Sequence, residues 1–113
     1  EKIINGVYIL CNSDIIEYEW SQMPTIEKKF LVKRIMELAR EKIALNQEVM
    51  ELAKEFELCG MKAYDSLHLA SSIFGGCDCF ISTDDKFVKK SKMNTEKIKV
   101  YNPLEFYLNE VLN

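Results

Sequence analysis

Short apolar runs rich in strand-forming residues alternate along this chain with longer stretches of helical period, and that alternation restricts the fold more than any other feature. Val7-Tyr8-Ile9-Leu10-Cys11 and Cys79-Phe80-Ile81-Ser82 read as buried strands, because a strand covered on both faces is apolar throughout. Lys42-Ile43-Ala44-Leu45 reads as a further short strand, and Lys97 to Tyr101 alternates like an edge or late strand. Between 25 and 40, Ile26, Phe30, Leu31, Ile35, Leu38 and Ala39 fall at steps of three and four, the period of an amphipathic helix capped by Thr25. Asn12-Ser13-Asp14 supplies cap chemistry for a helix carrying Ile15, Ile16 and Trp20, with Pro24 at or just after its end. A helix from about Asn46 places Val49, Leu52, Ala53 and Phe56 on one face and closes at Cys59-Gly60. Another runs from Ala63 to Phe74, with Leu67, Ala70 and Phe74 expected inward and Gly75-Gly76 as its stop. Asn102, Pro103 and Glu105 form a box-like start for a last helix, whose Leu104, Tyr107, Leu108 and Val111 are expected in the core.

The order strand, helices, strand, helix, helix, strand, strand, helix favours an α/β fold, a mainly parallel sheet in a three-layer α/β/α arrangement. At 113 residues, without repeat or linker, the chain is expected to form a single domain over 1–113. Trp20, Met23 and the apolar faces of the Phe30 and Val49 helices are expected in the core. One of those two helices is the candidate for burial against a second copy, as a homodimer.

The net charge of −3 argues against a passive, non-specific nucleic-acid binder, which is usually basic. It leaves room for an enzyme whose acids recruit cations. The four cysteines, Cys11, Cys59, Cys77 and Cys79, match no zinc spacing and read as reduced thiols of a cytoplasmic protein. No apolar run reaches the roughly 20 residues that cross a bilayer, and no signal peptide is visible.

In parallel sheets ligands sit beyond the carboxyl ends of the strands. Asp84 follows one strand, Ser13 and Asp14 follow another, and Glu17 and Glu19 lie on the helix leaving that same rim. Asp65 lies in the first turn of the helix that feeds the Asp84 strand. Carboxylates gathered at one edge repel one another unless cations join them, and Mg²⁺ or Mn²⁺ are the hard, oxygen-seeking ions suited to such donors. Bound there, such ions suit phosphodiester hydrolysis.

Tyr64-Asp65-Ser66-Leu67-His68-Leu69-Ala70 followed by Gly76-Cys77-Asp78-Cys79-Phe80-Ile81-Ser82-Thr83-Asp84-Asp85-Lys86-Phe87 resembles the C-terminal signature of PIN-domain ribonucleases. Val100 to Phe106 resembles that family's closing strand and Asn-Pro helix start, and Ser13 with Glu19 resembles the Ser and Glu after its second strand. The resemblance implies a metal site of Glu19, Asp65 and Asp84, with Asp85 assisting, Ser82 or Thr83 as a supporting hydroxyl and Glu17 as the alternative to Glu19. It implies a metal-dependent endoribonuclease acting on RNA, the toxin of a toxin–antitoxin pair or a related RNA-processing enzyme, with an antitoxin as partner. The chain looks like that family without its first strand and helix, which carry a nearly obligatory Asp, and two expectations follow: an N-terminal piece lies upstream of Glu1, or the chain is a degenerate member. A catalytically inactive PIN-like interaction module is therefore the competing expectation. A doubly wound phosphoacceptor regulator fits less well, since Lys99 lies within its strand rather than at its carboxyl end.

Plainer roles exist for the same residues. Asp65 suits a helix N-terminus, Asp84 suits a turn, and Glu19 suits a solvent-facing helix. His68, the only histidine, reads as a packed structural residue. Lys86, Lys89, Lys90 and Lys92 either touch RNA phosphates or line a solvated helix face.

Overall fold

The computed structural model describes residues 8–112. They form a mixed α/β structure with short parallel strands. The chain divides into two units, Glu1–Asn46 and Gln47–Asn113.

The first unit holds β1 (Cys11–Ser13), α1 (Asp14–Ser21), α2 (Ile26–Met36) and β2 (Glu41–Ile43). β1 and β2 pair in parallel, Asn12 opposite Lys42, and the Arg40 amide donating to the Leu10 carbonyl at 3.0 Å extends the ladder. The strand expected at Val7–Cys11 thus lies further along; Val7 itself falls outside the described residues. β1 spans Cys11 to Ser13 because its partner spans Glu41 to Ile43. Ser13 serves twice, as the last strand residue and as the cap of α1, its Oγ accepting the Ile16 amide at 3.2 Å. Ile15 is buried, and the Trp20 indole N–H donates to the Lys29 carbonyl at 2.5 Å, tying α1 to α2. Trp20 and Met23 are half-buried rather than core.

α2 corrects another expectation. Its period is helical, yet none of its residues is buried. Lys29, Val32 and Met36 are half-covered, while Ile26, Phe30, Leu31 and Ile35 face outward.

The second unit holds α3 (Gln47–Leu58), α4 (Ala63–Phe74), β3 (Cys79–Ile81), α5 (Asp85–Asn94), β4 (Lys99–Tyr101) and α6 (Pro103–Phe106), which continues as a π-helical turn, Tyr107–Val111. Its core joins Val49, Ala53 and Phe56 of α3 with Leu69 and Ala70 of α4, Phe87 and Val88 of α5, and Met61, Ile98 and Val100. Burying each larger member contributes about 1.5–3 kcal/mol. The buried residues of α4 are Ser66, Leu69, Ala70, Ser71 and Ser72, so of the expected Leu67, Ala70 and Phe74 only Ala70 is buried. Leu67 is only half-buried and Phe74 is exposed. Leu69 is the one large buried residue of α4, set between the small side chains of Ser66, Ala70, Ser71 and Ser72.

Both helices end on glycines with positive φ, +98° at Gly60 and +71° at Gly76. Met61 N–H reaches back to the Phe56 carbonyl and Gly60 N–H to that of Glu57, and Cys77 and Gly76 repeat the pattern on Ser72 and Ile73. These are Schellman closures, which need a left-handed residue.

Between β3 and β4, where the sequence reads strand to strand, the structure inserts α5. Its apolar residues are sparse, Phe87 and Val88 with Ser91 one turn on, and lysines mask the period. α5 is nevertheless the crossover that lets β3 and β4 pair in parallel, Phe80 opposite Val100. At the end of the chain the box forms as expected, with Asn102 Oδ1 accepting the Glu105 amide at 2.7 Å and Glu105 Oε1 accepting the Asn102 amide at 3.0 Å. That start fixes the helix phase so that Phe106 and Glu110 meet Tyr101. Leu104, Tyr107 and Leu108 are consequently exposed, against expectation.

Candidate active site

In the second unit the site is built from two helix starts. α4 precedes β3 and α5 follows it, so both helices begin at the carboxyl rim of that strand. Asp65 lies in the first turn of α4 and is half-buried. Three residues later His68 stands edge-on to Phe80 of β3, with ring centroids 6.4 Å apart. Asp84 caps α5, and three residues later Phe87 lies 5.0 Å from the same Phe80 ring. Phe80 thus packs on His68 in the second turn of α4 and on Phe87 in the first turn of α5, and each acid lies three residues before its contact.

Asp84 has a structural task. Its Oδ1 accepts the amides of Lys86 at 3.0 Å and Phe87 at 3.2 Å, satisfying two donors that the helix start would leave orphaned. The Asp84 amide in turn donates to Ser82 Oγ at 3.1 Å, so the hydroxyl singled out from the sequence braces the turn. No hydrogen bond to Oδ2 is seen among the described residues. Asp85, the first residue of α5, is exposed beside it. The four lysines divide by task. Lys90 Nζ donates to the Gly60 carbonyl at 2.9 Å, and Lys92 pairs with Glu105 at 2.6 Å, which holds the Glu105 carboxyl below its usual range, helped by the Asn102 amide. Lys86 and Lys89 are exposed. His68 sits in an aromatic contact, in keeping with a packing role.

The first unit gathers a different group at its own rim. Lys42 Nζ lies 2.7 Å from Glu17 and 3.4 Å from Asp14. Asn12 Nδ2 donates to Glu17 at 2.9 Å, and Asp14 Oδ2 accepts the Leu45 amide at 2.9 Å. That backbone hydrogen bond, with Lys42, lowers the Asp14 pKa, and the two carboxylates, Glu17 first, raise that of Lys42. A cavity of about 210 Å³ opens beside Glu17, lined by Asn12, Ile16, Glu17 and Trp20 on one side and Lys33, Met36 and Glu37 on the other. Glu19 is half-buried on α1 and lies outside both that lining and the Lys42 group. The sequence reading missed the Lys42 group. Its signal was present in Asp14 and Glu17, three apart on one helix face, but Lys42 joins them only through the strand register.

Among the described residues, no group of three or more His, Cys, Asp or Glu side chains stands close enough to hold a metal ion. Asp65 and Asp84 stand at the starts of α4 and α5, the two helices whose His68 and Phe87 pack on Phe80. No helix among the described residues is long and apolar enough to cross a membrane. Comparison with models of protein families, with curated sequences and with solved structures finds no match.

Proposed function

We propose that this chain is a metal-dependent endoribonuclease of PIN-like, three-layer α/β/α type. The observation that supports the reading is the packing of His68 of α4 and Phe87 of α5 on Phe80, each three residues after an acid, Asp65 and Asp84. In this reading Asp65 and the uncapped oxygen of Asp84 hold Mg²⁺ or Mn²⁺, and Asp85 assists. When bound, the ion supplies Lewis acidity for phosphodiester hydrolysis. The positive ends of the two helices favour the approach of phosphate, and exposed Lys86 and Lys89 hold the flanking RNA backbone. His68 positions the start of α4 through Phe80 rather than moving a proton. The toxin of a toxin–antitoxin pair, acting in the cytoplasm as a homodimer beside an antitoxin, is the biological setting this reading implies.

The test is RNA cleavage followed while Mn²⁺ is titrated, with Asp65→Asn as control. Cleavage that depends on Mn²⁺ and is lost in Asp65→Asn supports the reading. Cleavage that survives the substitution puts the site elsewhere. A second reading is a non-catalytic interaction module on the same fold; among the described residues no three His, Cys, Asp or Glu side chains stand close enough to hold a metal ion. Absence of cleavage at saturating Mn²⁺ by a folded protein selects that reading.

A further inference from the structure

We draw no further inference here: the strongest candidate, the cavity of about 210 Å³ between α1 and α2 of the first unit, carries none, because Lys42 and Asn12 already pair its Glu17 carboxylate, its remaining charges Lys33 and Glu37 are of opposite sign, and nothing in the structure shows what fills or covers it.

Discussion

Asp84 holds a helix start and is assigned to a metal, and one pair of substitutions separates the two roles. Asp84→Ala removes both hydrogen bonds that Oδ1 accepts from Lys86 and Phe87. Losing an N-cap costs about 1 kcal/mol, and losing a negative charge at the N-terminus of α5 adds about 0.3–0.5 kcal/mol at an exposed position. A total near 1.5 kcal/mol lowers Tm by about 6–12 °C for a unit of this size. Asp84→Ser retains an acceptor at the cap position and gives up only the charge, so its Tm falls by about 2–4 °C. Thermal unfolding followed by far-ultraviolet circular dichroism measures both. Cleavage of RNA with Mn²⁺, assayed well below either transition, measures the other role. Both variants lack the carboxylate, and both are expected to lose cleavage. If Asp84→Ser is destabilised as much as Asp84→Ala, the capping bonds do not contribute as argued. If Asp84→Ser still cleaves, the carboxylate is not part of the site.

Further outcomes follow from the same structure. The hydroxyls of Ser66, Ser71 and Ser91 are buried without hydrogen-bond partners, so Ser91→Ala is expected to raise stability by about 0.5–1 kcal/mol in urea unfolding, by removing an unpaired polar atom and improving helix propensity; a loss of stability refutes that account. Gly60 closes α3 at φ +98° with open space where a Cβ would stand, so Gly60→Ala costs about 1–2 kcal/mol through backbone conformation alone, and a neutral result shows that the closure is not held. Tyr101 donates to Glu110 at 2.8 Å, which, ahead of desolvation, pushes its phenol up to about 12. The neutral phenol is the form the fold prefers, so this contribution is complete below pH 10 and is lost as pH rises through about 12. One of the five tyrosines should therefore ionise late by ultraviolet absorbance, and Tyr101→Phe should remove that phase. Glu110 is shifted the opposite way, first by the Tyr101 hydroxyl and then by Lys99. Its contribution is present above the ordinary carboxylate range and fades as pH falls through its lowered value, so Tyr101→Phe should also reduce the acid sensitivity of the second unit.

The local features of this chain were legible because their causes are local. The capping box at Asn102 and Glu105, the glycine closures at Gly60 and Gly76, the α3 face of Val49, Ala53 and Phe56, and the acids at helix starts all depend on residues within one or two turns of each other. What the sequence left open depends on long-range partners. The strand β1 begins at Cys11 because β2 begins at Glu41, thirty residues away. The inner face of α4 carries Ser66, Leu69 and Ala70 rather than Leu67 and Phe74, because it is fixed by the α3 and α5 residues it packs on. α5 forms where lysines hide its period, because Phe87 has Phe80 to pack on and β4 must be reached in parallel. The apolar stripe of α2 was plain in the sequence, but periodicity records only that a helix has an apolar side. Which side another surface covers is a property of the fold, and for Phe30 and Ile35 the fold leaves it facing outward.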